Sequence, residues 1–275
     1  EFPQKRRMLI STKTVWITGA SSGIGREFAR RYARLGFRLI LTARRRDRLE
    51  TLAAELRAKH GTLCRIVPAD LAQDAQVTAL CEALADERID LFLNNAGFGA
   101  CGAFSETDAG KELSMLRVNV LAMHRLFKFT LRKMETQGFG TILNVASSAG
   151  LLPGGPYMAG YYASKAYVVS LTRGVAEELR EQHSPVYVCA LCPGPVDTEF
   201  NDRADVVFAL KGISPALCVE EAMRGMLRGK TIIVPSALMR AATTAQHFVP
   251  TPLLMPIMAR QQKKKLGGST PTQEH

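Results

Sequence analysis

The sequence predicts a single α/β domain, a doubly wound seven-stranded parallel sheet with helices on both faces, followed by a C-terminal extension. Short apolar segments alternate with segments of helical periodicity from residue 13 to about residue 235, which is typical of such a sheet. No linker rich in Pro, Gly or Ser divides this region, and it contains no internal repeat. The length of 275 residues is enough for one large domain with its own core. We assign residues 8–235 to the domain and residues 236–275 to the extension.

Each predicted strand is a short, mainly apolar run, and each predicted helix is a longer run with helical periodicity. The strands are predicted at residues 14–18, 37–42, 65–70, 89–94, 141–145, 186–191 and 231–234. The helices are predicted at residues 25–35, 46–60, 75–86, 111–136, 161–182 and 219–228. Parallel strands need long crossover connections, and helices between successive strands provide them.

A glycine-rich turn after the first strand predicts a dinucleotide site of the Rossmann type. Gly19 permits the tight turn out of the strand, Gly23 lets the backbone approach a pyrophosphate, and Gly25 lets the helix pack closely on the sheet. The helix N-terminus provides free N–H groups for the phosphates. The cofactor-binding residues predicted in this turn are Gly19, Ser21, Ser22, Gly23, Ile24 and Gly25.

The end of the second strand favours NADP(H) over NAD(H). An NAD site has an Asp or Glu there that accepts from the ribose 2′-OH. Here the sequence has no acid but three arginines, of which Arg44 is the predicted clamp for a 2′-phosphate and Arg45 a second one. A basic first turn on a surface helix is the alternative, but cations are disfavoured at a helix N-terminus.

Tyr161 and Lys165 form the predicted proton-transfer pair. Residues four apart lie on one face of a helix, and a nearby ammonium lowers the pKa of a phenol towards neutrality. Such a phenol can exchange a proton with a carbonyl or alcohol oxygen. On the alternative interpretation, Tyr161 is a core aromatic residue and Lys165 a surface charge. Tyr162 lacks a lysine four residues later, so Tyr161 is the tyrosine of the pair. Ser148 lies thirteen residues before Tyr161.

The composition excludes several other classes of protein. The net charge of +11 is spread over several segments, and no zinc-finger, RNA-recognition or basic-zipper pattern is present, so we expect no nucleic-acid partner. Cys189 and Cys192 lie in a predicted strand, where residues three apart point to opposite faces, which argues against a redox pair. The histidines show no metal-ligand pairing, and no metal is predicted. Without a signal peptide or an apolar run of about 20 residues, a cytoplasmic location is expected.

Over residues 13 to 235 the chain resembles the short-chain dehydrogenase/reductase family. The resemblance rests on motifs that occur in the family's order: the glycine-rich turn, Asp70, Asn94-Asn95-Ala96-Gly97, Asn119, Ser148, Tyr161-x-x-x-Lys165 and Pro193-Gly194-Pro195-Val196-Asp197-Thr198. One departure concerns Ser22, because many NADP-preferring members have a basic residue there. The 2′-phosphate must then depend on the arginines after the second strand.

The resemblance implies roles for individual residues. Tyr161 is implied to be the general acid in reduction and the general base in oxidation. Lys165 is implied to lower the pKa of Tyr161 and to hold the nicotinamide ribose, and Asn119 to hold a water that connects Lys165 to solvent. Ser148 is implied to donate to the substrate oxygen; Ser147 is the alternative, but the thirteen-residue spacing favours Ser148. The further cofactor-binding residues are Asp70, Leu71, Asn95, Ala96, Gly97, Tyr161, Lys165, Pro193, Gly194, Val196 and Thr198.

The extension resembles that of the 11β- and 17β-hydroxysteroid dehydrogenase subgroup and its bacterial relatives, as does Leu41-Thr42-Ala43-Arg44. Residues 245–258 are apolar, contain three prolines and precede a lysine cluster at residues 263–265. This pattern fits either a peripheral anchor on anionic lipid or a segment that covers the substrate cleft or a subunit contact. The second interpretation is favoured because prolines oppose a long amphipathic helix.

These features predict an NADP(H)-dependent oxidoreductase that transfers a hydride between the nicotinamide and the carbonyl or secondary alcohol of an apolar, hydroxysteroid-like substrate. The cleft is expected to involve Leu151, Leu152, Met158 and residues 200–217. The alternatives are a 3-oxoacyl reductase or a broad carbonyl reductase, and, more remotely, a non-catalytic NADP-binding sensor. The resemblance implies a homodimer or homotetramer through the helices at 111–136 and 161–182.

Overall fold

The computed structural model describes residues 13–199 and 212–266, and within them it contains a seven-stranded parallel sheet. The strands are β1 (Thr14–Thr18), β2 (Arg38–Thr42), β3 (Cys64–Ile66), β4 (Leu91–Asn94), β5 (Gly140–Val145), β6 (Val186–Leu191) and β7 (Ile232–Ile233). Their order is β3-β2-β1-β4-β5-β6-β7, so the direction of winding reverses between β1 and β4. Ligands of doubly wound sheets bind at such a reversal, beyond the carboxyl ends of the strands. The predicted fold class is confirmed.

Helices cover both faces of the sheet. They are α1 (Gly23–Arg34), α2 (Arg46–His60), α3 (Asp74–Ala83), α4 (Ala109–Leu116), α5 (Met123–Gln137), α6 (Ala159–Glu181), α7 (Pro215–Leu227), α8 (Ala237–Ala245) and α9 (Thr251–Leu266). One apolar layer, which includes Phe28 and Leu49, packs against one face, and a second, which includes Trp16 and Leu126, packs against the other. Among the described residues, no helix is long and apolar enough to cross a membrane.

Trp16 shows how neighbouring strands are tied together in the core. It lies opposite Ile40 on β2 and Phe92 on β4, and its ring stacks on that of Phe92 with the centroids 4.2 Å apart. Its indole N–H donates to the Thr42 hydroxyl at 3.0 Å. The buried polar group is therefore satisfied inside an apolar layer, which keeps the centre of the sheet in register.

Several predicted limits differ from the structure by a few residues, and two of the differences have a clear physical reason. The third strand ends at Ile66 rather than at residue 70, because Pro68 has no N–H to donate to the sheet. The helix predicted at 111–136 is interrupted by a π-helix, Arg117–Ala122, which contains Asn119. The side chain of Asn119 bonds to the backbone of Phe98 in the loop after β4. An inserted π-helical turn is frequent at functional sites.

The extension is helical, and the expectation that its prolines oppose a long helix was wrong. Helix α9 has 16 residues and contains Pro256. Pro252 lies in its first turn, where a missing N–H costs no intrahelical bond. Residues four apart, Leu254, Met258 and Gln262, face the protein, while Ile257 is exposed. One helix face therefore packs onto the domain.

Candidate active site

A cavity of about 460 Å³ lies at the carboxyl ends of the strands. The glycine-rich turn and the segment after β2 border one part of it, and the start of α6 and the extension border another. Nearly all of the predicted cofactor-binding residues border this cavity. They are Gly19, Ser21, Ser22, Gly23, Ile24, Arg44, Arg45, Asp70, Leu71, Asn95, Ala96, Gly97, Tyr161, Lys165, Pro193, Gly194, Val196 and Thr198.

The glycine-rich turn has the backbone conformation that a dinucleotide requires. Gly19 and Gly23 have φ angles of +66° and +53°, which residues with a Cβ rarely adopt. Gly25 lies behind the turn, and a Cβ there would collide with the carbonyl oxygen of Gly19. The Asn95 amide donates to the carbonyl of Thr18 at 2.9 Å, which fixes the turn to the end of β4. The start of α1 borders the cavity, and its N–H groups suit a pyrophosphate.

The two predicted arginine clamps differ in their surroundings. Arg45 is 3.3 Å from the Glu199 carboxylate and also donates to the Ser21 hydroxyl at 3.3 Å. Glu199 is paired in addition with Arg48 at 2.7 Å. No ion pair of Arg44 is recorded within residues 13–199 and 212–266, and its exposed side chain borders the cavity. Arg44 is thus the guanidinium that can pair with a phosphate without first leaving a carboxylate.

Asp70 is held in place next to the cavity. Its backbone N–H donates to Gln76 at 2.8 Å, and its side chain accepts from the N–H of Ala72 at 3.1 Å. The carboxylate thereby closes a small turn after β3. This geometry fixes Asp70 and the adjacent Leu71 at the cavity edge.

Tyr161 and Lys165 are both buried on the first turns of α6. The Lys165 ammonium group donates to the carbonyl of Val145 at 3.0 Å and lies 5.9 Å from the centre of the Tyr161 ring. A Cβ at Gly97 would lie 3.2 Å from Lys165 Nζ and 2.9 Å from Asn119 Oδ1. The absence of a side chain at Gly97 therefore lets Asn119 and Lys165 approach each other.

Asn119 lies behind the cavity wall rather than on it. Its amide donates to the carbonyl of Phe98 at 2.9 Å and to the hydroxyl of Ser164 at 3.2 Å, and it accepts from the N–H of Phe98 at 3.1 Å. The side chain thus holds the loop that contains Gly97 against α6. The water-holding role implied for Asn119 stays a prediction.

The hydroxyl of Ser147 hydrogen-bonds to the phenol of Tyr161. Ser147 caps the 3₁₀ turn Ser148–Leu151, and its hydroxyl accepts from the N–H of Ala149 at 3.1 Å. The assignment of Ser148 from its thirteen-residue spacing stays a prediction, and both serines border the cavity. Its alternative, Ser147, is the one seen at the phenol, and a spacing cannot tell which of two neighbouring hydroxyls faces the tyrosine.

Burial controls the titration of both groups. It raises the pKa of Tyr161 to about 12, although the hydrogen bond from Ser147 acts in the opposite direction. It also lowers the pKa of Lys165 to about 8. The expectation that Lys165 lowers the pKa of the phenol is therefore not met in this structure: desolvation penalises the phenolate and the ammonium alike.

The buried Lys165 makes stability depend on pH. Its pKa is 10.5 in the unfolded chain and about 8 in the folded protein. Between these values the unfolded state binds more protons, so the free energy of unfolding rises with pH. From pH 8 to 9.5 we expect the wild type to gain ~1.5 kcal/mol relative to Lys165→Met, measured by urea unfolding. Parallel pH profiles of the two proteins would contradict a depressed pKa at Lys165.

The remaining cavity wall is largely apolar, and the extension forms much of it. Of the predicted cleft residues, Leu152 and Met158 border the cavity, whereas residues 200–211 lie outside the described part. The individual extension residues that border the cavity were not predicted from the sequence. These include Met239, Thr243, Gln246, Leu254, Met258 and Gln262. The four-residue spacing of the last three could have indicated an inward helix face.

Helix α9 is attached to the loop that precedes α6. The ammonium group of Lys263 lies 5.5 Å from the centre of the Tyr157 ring, and Tyr157 has a φ angle of +63°. Met255 approaches Gly154 so closely that a Cβ there would lie 3.2 Å from its methyl group. The extension thus packs directly over the segment that leads to Tyr161.

Comparison with known proteins identifies the family. The family model described as short chain dehydrogenase matches residues 13–206. A very-long-chain 3-oxoacyl-CoA reductase of Scheffersomyces stipitis is 33% identical over 177 residues, which cover 60% of this chain and 51% of that protein. A short-chain dehydrogenase from Sphingobium yanoikuyae in complex with NADPH has 33% identity and a TM-score of 0.79, covering 88% of this chain and 94% of that one. A short-chain dehydrogenase/reductase from Burkholderia phymatum in complex with NAD has 29% identity and a TM-score of 0.77, covering 86% and 92%. The chain belongs to the short-chain dehydrogenase family and is an oxidoreductase of that family.

Proposed function

We propose that this protein is an NADP(H)-dependent oxidoreductase that interconverts a carbonyl and a secondary alcohol on an apolar substrate. The observation that carries the proposal is the cluster of buried Tyr161 and Lys165 with half-buried Ser147, in a cavity that continues to the glycine-rich turn. One part of the cavity suits a dinucleotide and the other an apolar molecule. When bound, the reduced nicotinamide supplies the hydride.

In the reduction direction, Tyr161 donates its phenolic proton to the carbonyl oxygen. When the substrate is bound, the Ser147 hydroxyl redirects its single proton from the phenol to the carbonyl oxygen, where negative charge develops; the family implies this role for Ser148. Lys165, when protonated, stabilises the phenolate that remains after proton transfer. Asn119 acts as a positioning residue, because its hydrogen bonds hold the Gly97 loop beside Lys165. In oxidation each proton moves in the opposite direction.

The preference for NADP(H) is proposed from Arg44. Its guanidinium has no recorded ion pair within the described ranges, and no acid follows β2 in the position that would accept from a ribose 2′-OH. The compared structures contain NADPH in one case and NAD in the other, so this preference depends on the residues of this chain.

Replacing Arg44 with Ala is expected to raise the KM for NADPH by about tenfold or more while leaving the KM for NADH within about twofold. The reason is the loss of a charge-assisted contact to a phosphate that only NADPH carries. Steady-state kinetics with each cofactor measure the effect. Arg46→Ala is the control, since Arg46 pairs with Glu50 on the surface. Equal use of both cofactors by the wild type would exclude the NADP(H) assignment.

For the substrate we propose a hydroxysteroid-like molecule, because the wall next to Tyr161 contains Leu152, Met158 and Met258. A 3-oxoacyl substrate is the second candidate, favoured by the similarity to the 3-oxoacyl-CoA reductase. Oxidation of NADPH in the presence of ketosteroids, 3-oxoacyl thioesters and simple aryl ketones distinguishes these classes and a broad carbonyl reductase. If the protein binds NADPH and reduces none of them, the sensor alternative replaces the enzyme proposal.

Assembly and location are proposed from the surface. Leu113, Leu121 and Tyr167 are exposed on the α4–α5 and α6 segments, which suits a homodimer or homotetramer through these helices. On the extension, Leu253 and Ile257 are exposed, which suits peripheral contact with anionic lipid by a cytoplasmic protein. Size-exclusion chromatography with light scattering tests the first proposal. Flotation with anionic vesicles, with and without residues 241–275, tests the second.

A further inference from the structure

Two glutamines of the extension are buried at the cavity. Gln246, in the turn after α8, is 9% exposed, and Gln262, on α9, is 3% exposed. Both side chains border the same cavity as Tyr161. Apolar side chains surround them, among them Leu254 and Met258. A Leu or Met in either position would pack without bringing a polar group out of water.

Each glutamine uses its amide N–H to attach the extension to the domain. Gln246 donates to the carbonyl of Leu151, and Gln262 donates to the hydroxyl of Tyr162 at 2.7 Å. Tyr162 follows Tyr161 directly, and the centres of the two rings are 6.3 Å apart. Helix α9 is therefore bonded to the residue next to the proposed general acid.

The amide oxygens of both glutamines lack a partner. They are shielded from solvent, and no residue in the described ranges donates to either of them. Rotating the amide of Gln262 by half a turn would let Tyr162 donate to its oxygen but would leave the NH₂ group unpaired. In either orientation, Gln262 and Tyr162 together keep a hydrogen-bonding group without a partner next to an apolar cavity. This is unusual, because buried polar groups normally find partners.

We infer that Gln262 and Tyr162 form a second polar subsite, which recognises a hydroxyl group of the substrate away from the reacting carbonyl. A hydroxyl both donates and accepts, which matches this pair: the Gln262 oxygen accepts from it, and the Tyr162 hydroxyl, whose oxygen already accepts from Gln262, donates to it. The preferred substrates are therefore apolar ketones that carry a second, remote hydroxyl. This inference rests on the proposed carbonyl reduction and names the substrate class more narrowly.

A purely structural role for the pair makes a different prediction. If Gln262 only attached α9 to the domain, its removal would lower kcat/KM equally for all substrates, because the apolar wall would pack less tightly against each of them. If Gln262 and Tyr162 recognise a hydroxyl, removing either side-chain group lowers kcat/KM only for substrates that carry that hydroxyl. The reason is that a site which hydrogen-bonds a substrate hydroxyl discriminates against the analogue that lacks the hydroxyl.

The test compares 3-hydroxyandrostan-17-one with androstan-17-one, which differ by one hydroxyl remote from the ketone. The variants are Gln262→Met and Tyr162→Phe, and the control is Gln182→Met at the exposed end of α6. With NADPH, we expect the wild type to prefer the hydroxylated ketone by about tenfold in kcat/KM, and both variants to reduce this ratio to about two. Gln182→Met should keep the wild-type ratio. If the variants lowered kcat/KM equally for both ketones, the inference would be overturned, and the pair would serve only to attach α9 to the domain.

Calorimetric binding of the two ketones to the NADP⁺-loaded protein separates the inference from the proposed function. Turnover of neither ketone, together with tighter binding of the hydroxylated one that Gln262→Met abolishes, would contradict the reductase proposal for these ketones and support the subsite. Equal binding of the two ketones by the wild type, or binding of neither, would overturn the subsite whatever the turnover. Circular dichroism of both variants verifies that they fold.

Discussion

Tyr161→Phe is expected to lower kcat for ketone reduction by about 10³-fold, because it removes the proton that the proposed mechanism gives to the substrate oxygen. The ring stays, so the packing of the residue 161 side chain with Met158 and Tyr162 is retained. NADPH affinity should remain within about threefold, since the phenolic proton serves the reaction rather than the binding of phosphate. Single-turnover reduction followed by NADPH absorbance measures the effect.

Tyr167→Phe is the matched control for this substitution. Tyr167 lies on the same helix, is partly exposed and bonds to His124 through its hydroxyl at 2.7 Å. Loss of that surface contact should leave kcat within about twofold. A Tyr161→Phe protein that keeps more than about a tenth of the wild-type rate would exclude the tyrosine as the proton donor.

The second large effect is expected at Ser147. Ser147→Ala should reduce kcat by about 10²-fold, because a hydrogen-bond donor to the developing negative charge and the hydroxyl that bonds to Tyr161 are both lost. The KM should change less than kcat, since the charge develops only in the transition state. Steady-state kinetics on the best ketone of the substrate panel provide the measurement.

Ser148→Ala is the comparison that decides between the neighbouring serines. Ser148 joins the site through its backbone N–H, which donates to Pro193 at 2.8 Å and which alanine keeps. We expect Ser148→Ala to lower kcat by less than about fivefold. The reverse order of effects would restore the assignment that the thirteen-residue spacing favours.

The sequence predicted the sheet well because its central strands are continuous apolar runs. Residues 14–18 are buried throughout and form β1 with the predicted limits, and residues 186–191 likewise form β6. The glycine-rich turn was predictable for a related reason. Gly19 and Gly23 lie between a strand and a helix that are both evident in the sequence, and this context makes the glycine pattern specific.

The features that were not predicted depend on contacts between distant residues. Whether Ser147 or Ser148 meets Tyr161 depends on how the turn after β5 is capped. The pKa of Lys165 depends on burial beneath residues from other elements, which no local pattern shows. The fold of the extension depends on packing against residues about one hundred positions away, as in the bond between Gln262 and Tyr162. Tertiary packing of this kind outweighs the local effect of Pro256.

Helix α9 lies outside the segment that matches the family, residues 13–206, yet it contributes Leu254, Met258 and Gln262 to the cavity. The proposed proton-transfer groups and this part of the cavity wall thus lie in different stretches of the chain. A new selectivity could be acquired by exchanging the last thirty or so residues while the proton-transfer groups stay intact. Chimaeras that carry another member's C-terminal helix would therefore be a direct route to altered specificity, and relatives with nearly the same catalytic core could evolve different substrates by the same means.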